Sequence, residues 1–190
     1  MLTMLYFRND AQLDTHRGVW YSVAAMPSHT GECRIGLLGL GTVGSAVAGL
    51  LLRSQDEIAQ RAGLPIRLRG VAVAHTDRAR TVVLPDGVLT GDAAAVVSDP
   101  DVDVIVEVMG GIEPARTHIL RALAAGKSVV TANKQLMSTR GEELLTASSE
   151  RGVDLFFEAS ACGGLPIIKT IRESLAANDI TQIMGIVNGT

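Results

Sequence analysis

A glycine triplet, Gly39-Leu40-Gly41-Thr42-Val43-Gly44, lies between the apolar run Arg34-Ile35-Gly36-Leu37-Leu38 and the segment Ser45-Ala46-Val47-Ala48-Gly49-Leu50-Leu51-Leu52. The first flank has the length and apolar content of a buried strand and the second those of a helix, so the glycines fall on a strand-to-helix turn. Each has its own steric task. Gly39 allows the tight turn, Gly41 lets main-chain amides approach a ligand, and Gly44 lets the helix pack on the strand with no Cβ between them. In this context the G-x-G-x-x-G spacing predicts a dinucleotide diphosphate held on a helix N-terminus.

The rest of the chain alternates strands and helices from Cys33 onward, which predicts an α/β fold, a Rossmann-type doubly wound parallel sheet. The helix after the triplet is expected to open at Thr42 or Gly44 and run through Leu52 to Ala62, where Gly63 and Pro65 end it. Strands are expected at 67–74, 102–108, 128–131 and 153–157, with a short extra strand at 82–84. Helices are expected at 92–98 with Asp92 as N-cap, at 115–125 after Pro114, and from about Gly141 to Arg151 before Gly152. A further helix is placed at 167–177 and a last strand at 180–187. The expected organisation is a poorly ordered extension over 1–32, a dinucleotide-binding domain over 33–158, and the beginning of a second, α+β domain over 159–190.

Composition narrows the partners. A net charge of -3 in 190 residues offers no basic field, which argues against nucleic acid and anionic membrane surfaces and for small molecules. No apolar run reaches 18 residues, and the first 32 residues lack the pattern of a secretory signal. Cys33 and Cys162, far apart and outside any C-x-x-C, suggest neither a disulfide framework nor a zinc site. A reducing cytoplasm is the expected setting.

Ligands of such a sheet collect at the carboxyl ends of its strands, which selects the loops 39–44, 75–80, 109–113, 131–134 and 158–165. In the second loop, His75, Arg78 and Arg80 favour the 2′-phosphate of NADP, while Asp77 would serve the ribose of NAD. Gly110 and Gly111 either let the backbone pass under the nicotinamide ribose or simply turn the chain. Lys134, a cation at a helix start where the dipole disfavours it, reads as a ligand contact ahead of an ordinary surface lysine. Glu107, in an otherwise apolar strand, requires either a buried partner or access to water. Glu113 and His118 read as a solvated face, and Cys162 as a buried small hydrophobe.

Taken together, four blocks resemble the N-terminal portion of the homoserine dehydrogenase family. They are Ile35 to Gly44, Val106-Glu107-Val108-Met109-Gly110-Gly111, Gly126 to Lys134, and Glu158-Ala159-Ser160 with Gly163-Gly164-Leu165-Pro166-Ile167-Ile168. Gly185-Ile186-Val187-Asn188-Gly189-Thr190 fits the same family. The resemblance implies an NAD(P)H-dependent interconversion of L-aspartate 4-semialdehyde and L-homoserine, in threonine, methionine and isoleucine biosynthesis, by a homo-oligomer. It implies that Thr42 and Val43 touch the coenzyme and that Lys134 lies at its nicotinamide end. It also implies a monovalent cation such as sodium, held mostly by main-chain carbonyls of the loop with Glu158, Ala161, Gly163 and Leu165, where Cys162 replaces a glycine common in the family. No catalytic residue is assigned, because the family's acid/base residues lie downstream of the block ending at Thr190. The expectation is a coenzyme-binding fragment inactive alone, with apolar surface left uncovered on 167–187. Two alternatives stay open: another two-domain oxidoreductase, which Glu158 to Ile168 argues against, and a non-catalytic NAD(P)-binding regulatory module.

Overall fold

A computed structural model describes residues 7–8 and 31–184 of the chain. Six strands form one parallel sheet: β2 Cys33–Leu38, β3 Ile66–Ala72, β4 Leu89–Thr90, β5 Val104–Glu107, β6 Ser128–Thr131 and β7 Leu155–Phe156, in the order β4-β3-β2-β5-β6-β7. The chain therefore moves outward from β2 to β3 and β4, then returns to β2's other side for β5 to β7. That reversal between β2 and β5 is the switch point of a doubly wound sheet, and all six carboxyl ends lie along one edge. A separate two-residue antiparallel ladder joins β1 Phe7–Arg8 to β8 Gln182–Ile183. The remainder of the 1–32 extension and the 185–190 block lie outside the described residues.

Both faces of the sheet are covered, as its near-continuous apolar strands require. Side chains alternate: Leu38, Ile105 and Val129 enter one core with Val96, Ile119, Leu123, Leu136 and Leu144 from helices α3 Ala93–Ser98, α4 Ala115–Ala124 and α5 Lys134–Arg151. Leu37, Ile35 and Val104 face the opposite side, where Ala48, Val47 and Leu51 of α1 Thr42–Arg53 pack. The result is three layers, helix on sheet on helix.

Several expected boundaries moved. The first long helix breaks at Ser54, whose backbone leaves the helical region (φ -114°, ψ 32°), and α2 Gln55–Ala62 continues to a left-handed Gly63. The 82–84 strand is absent: Val82 and Leu84 pack on a core from an extended loop, Val83 between them is 88 % exposed, and the edge ladder forms instead at Leu89–Thr90. Helix α5 begins two turns before Gly141, at Lys134. The strands at 102–108 and 153–157 shrink to β5 and β7. Beyond α6 Glu158–Ala161, the helix placed at 167–177 is a short α7, Ile167–Lys169, followed by a π-helical turn Thr170–Ser174, and the last strand is β8 alone within the described residues. Asp92 does cap α3, accepting from Ala95 N–H at 2.9 Å, and Gly152 ends α5 in the left-handed region.

Candidate functional site

Each triplet glycine is fixed by a different neighbour. Gly39 has φ +101°, and a Cβ there would stand 2.7 Å from the Val108 carbonyl oxygen, so the turn after β2 presses against the exit of β5. A Cβ on Gly44 would lie 2.2 Å from the Gly39 carbonyl oxygen, which forbids any side chain. Gly41 is the reverse case. It has ordinary negative φ, and a Cβ there would meet nothing within 4 Å: it borders open space in front of α1.

That space faces an electropositive helix end. No side chain caps α1 at Gly41, and its first turn holds no acid, so the Thr42, Val43 and Gly44 amides lack intrahelical acceptors. Gly41, Thr42 and Val43 are exposed, Val43 by 54 %. A diphosphate needs donors, positive potential and room for close approach, and the residues present supply all three.

The 75–80 loop follows β3, beside this turn. Arg80 is turned back onto its own loop, its guanidinium donating to the carbonyls of His75 (2.7 Å) and Arg78 (2.8 Å). His75, Asp77 and Arg78 stand exposed. Of the two arginines, Arg78 is the one whose charge faces water, while Arg80 shapes the loop.

On the other side of the switch point, a buried polar network joins the exits of β5 and β6. Glu107 is fully buried and resolves the alternative left open by its sequence context: it has partners and no water access. Its Oε2 accepts from Thr131 Oγ1 at 2.6 Å, and its Oε1 accepts from Met109 N–H at 2.8 Å and from Asn133 Nδ2 at 3.4 Å. Asn133 Nδ2 also donates to the Gly111 carbonyl at 2.6 Å, while its Oδ1 caps α5 by accepting from Leu136 N–H at 3.1 Å. Lys134 is thus the first residue of α5 and is exposed, as are Gly110 and Gly111, both at positive φ. The roles of Thr131 and Asn133 escaped sequence reasoning. The signal was there: an Asn before a helical segment is a standard N-cap.

Around this network, Arg116 of α4 pairs with Glu143 of α5 and, at 3.2 Å, with Glu113. Glu113 sits below the usual carboxylate range, first because Thr117 Oγ1 donates to it and then because of Arg116; Glu143 is lowered by its hydrogen bond to Arg116. Glu113 is exposed as expected, but His118 is buried, correcting the solvated-face reading: α4 turns it inward with Ile119 and Ala122. Burial, then the nearby Arg121, depresses its pKa.

The 158–165 segment lies beyond β7 and is only partly the expected loop, since its first four residues form α6. Glu158 accepts from the Ile168 and Lys169 amides, both at 2.9 Å, and so caps α7 with both oxygens. The Leu165 carbonyl accepts from Ile167 N–H at 2.8 Å, Gly163 is exposed at φ +64°, and Ala161 is half-buried. Among the described residues no cluster of three His, Cys, Asp or Glu side chains could hold a metal, so any cation here would rely on carbonyl oxygens. Cys162 is half-buried, less enclosed than expected, while Cys33 is buried with its thiol pushed up to about 11 by that burial.

Comparison with known proteins bears on the whole arrangement. Residues 39–158 match the family described as homoserine dehydrogenase, NAD binding domain. The chain belongs to that family. It is 48 % identical over 157 residues to the homoserine dehydrogenase of Bacillus subtilis (83 % of this chain, 36 % of that protein). It is 49 % identical over 156 residues to that of Corynebacterium glutamicum (82 % and 35 %). The crystal structure of a homoserine dehydrogenase from Thiobacillus denitrificans superposes with a TM-score of 0.71 at 47 % identity, covering 77 % of this chain and 34 % of that one. The chain thus spans about a third of the length of the relatives it matches, and it carries the family's nicotinamide-coenzyme domain. No helix among the described residues is long and apolar enough to cross a membrane.

Proposed function

We propose that this chain is the coenzyme-holding part of a homoserine dehydrogenase, which interconverts L-aspartate 4-semialdehyde and L-homoserine with NAD(P)H, in the cytoplasm, as part of a homo-oligomer and of the route to threonine, methionine and isoleucine. The observation that carries this reading is the bare α1 terminus at Gly41, flanked by two glycines whose side-chain positions are filled by backbone. When bound, the nicotinamide coenzyme supplies the hydride. The chain's own residues bind and orient: Thr42 to Gly44 amides grip the diphosphate, Gly110 and Gly111 leave room for the nicotinamide ribose, and Lys134 stands at the nicotinamide end. Protonation of the carbonyl oxygen during reduction is assigned to acid/base residues of the family's substrate domain, and the 190-residue chain by itself binds without turnover.

NADP is favoured over NAD, because exposed Arg78 is free to pair with a 2′-phosphate in a charge-assisted contact; His75 and Arg80 frame the same loop. The carbonyls of Glu158, Ala161, Gly163 and Leu165 are the proposed cradle of a monovalent cation, with the Leu165 oxygen shared with the Ile167 amide. Residues 33–158 form the nucleotide-binding unit and 159–190 open the next domain, in keeping with the exposed Leu165 and Met184 at 68 % and 75 %.

Calorimetry of the purified chain with NADPH and NADH tests the reading, together with an assay on aspartate 4-semialdehyde. Binding is expected with NADPH tighter, and Arg78→Ala should narrow the NADPH-to-NADH preference by about tenfold. Absence of binding of both coenzymes at millimolar concentration would refute the proposal, and family-typical turnover by the chain alone would refute its binding-only part.

A further inference from the structure

Glu107 is a carboxylate buried among neutral donors, an arrangement that packing alone does not call for. Taking a carboxylate out of water is expensive without a cation beside it, and a hydrocarbon or an amide of similar volume would avoid that cost. What the carboxylate offers is two acceptor atoms facing two different loops. Oε1 takes the Met109 amide from the β5 exit and the Asn133 side-chain amide from the β6 exit, and Oε2 takes the Thr131 hydroxyl. The Thr131 oxygen in turn accepts from Asn133 N–H at 3.1 Å, so the hydroxyl hydrogen is committed to Glu107. Asn133 passes the constraint on in two directions, to the Gly111 carbonyl and to the first turn of α5, where Lys134 begins.

We propose that Glu107 is a positioning residue that fixes Gly111 and Lys134 relative to each other and so preshapes the seat of the nicotinamide ring. This rests on the coenzyme reading given above. The diphosphate turn lies on the other side of the switch point and, among the described residues, takes no hydrogen bond from this network, although Gly39 packs on the Val108 and Met109 backbone; the network's hydrogen bonds run instead to the nicotinamide side. A glutamine at 107 cannot substitute. One of its terminal atoms is a donor, and turned toward Thr131 it strands the hydroxyl hydrogen, while turned toward Met109 it opposes an N–H.

The test compares two ligands on the 190-residue chain by calorimetry: NADPH, and 2′-phospho-ADP-ribose, which is the same molecule without the nicotinamide ring. In the unaltered chain NADPH should bind more tightly of the two. Glu107→Gln should weaken NADPH by about tenfold or more while leaving the ring-free ligand within about twofold. Thr131→Val should reproduce that selective loss, and Thr131→Ser, which keeps the hydroxyl, should restore it. Should Glu107→Gln not fold, the Thr131 pair decides by itself. Unchanged NADPH affinity in both variants, equal loss for both ligands, or an unaltered chain that binds the two ligands equally would each overturn the inference. An unaltered chain that binds neither NADPH nor NADH instead overturns the coenzyme reading on which it rests.

Discussion

Two helices begin on the same edge of the sheet, and their first turns are finished in opposite ways. At α1 the N-cap is Gly41, no side chain accepts from the opening amides, and the space ahead is open. At α5 the N-cap is Asn133, its side chain bonds the Leu136 amide, and a buried network anchors it to Glu107. A self-satisfied terminus is stable in its own right, and a bare one keeps its donors for an anion. In the proposed reading, unspent backbone would grip the diphosphate, and side chains that are already committed would place the nicotinamide end.

Substitutions can break this contrast at either end. The largest effect is expected at Gly44→Ala, where the added methyl meets backbone: stability should fall by about 3 kcal/mol or more, with coenzyme binding lost, read by denaturant unfolding and calorimetry. Gly41→Asp would give α1 the kind of cap that α5 has. Stability should rise by a few tenths of a kcal/mol, about the difference between Gly and Asp at an N-cap, while NADPH affinity falls by about a hundredfold from like-charge juxtaposition. If the Gly41→Asp chain bound NADPH normally, the diphosphate would not sit at α1. Asn133→Ala removes the cap from α5 and should cost about 1 to 2 kcal/mol in a urea titration, with the melting transition still cooperative.

The smallest effect concerns α4, which packs against α5. His118 is buried and its pKa is depressed, so the folded chain resists protonation that the unfolded chain accepts near 6.5. The unfolded state therefore binds more protons below that value, and stability should decline as pH falls through 6.5. His118→Gln should flatten that part of the stability profile between pH 7.5 and 5, measured by thermal unfolding at each pH. A variant profile parallel to the original would show that His118 is not the titrating group.

The β2 turn and α1 were legible because strand, glycines and helix are contiguous, so local sterics decide the conformation. The β6 strand, Ser128–Thr131, was read to the residue, since Gly126 and Asn133 punctuate it. Where the reading slipped, tertiary packing outweighed local preference. Gly141 looked like a helix start and is instead a buried position inside α5, the helix that packs against α4. The apolar run Val82-Val83-Leu84 before the Pro85-Asp86-Gly87 turn suggested a short strand, but the side chains of Val82 and Leu84 found a core without a partner strand to bond. The candidate site showed the same division: the glycine turn was visible in a six-residue motif, whereas the Glu107 network joins residues 107, 111, 131 and 133, which only the parallel pairing of β5 with β6 brings together.

The pairing of β2 with β3 slips by one residue between Ile35 and Gly36. There a Cβ on Gly36 would stand 2.8 Å from Val96 Cγ1 and from Ile105 Cδ1, and one on Gly70 would stand 3.2 Å from Val96 Cγ2. One valine of α3 thus rests in a notch made by two missing side chains on neighbouring strands. Positions 36, 70, 96 and 105 consequently behave as a single steric unit: enlarging position 70 demands a smaller residue at 96, and enlarging position 36 demands room at both 96 and 105. A library that randomises this face should vary the four in concert, since acceptable combinations will be rare among independent single changes.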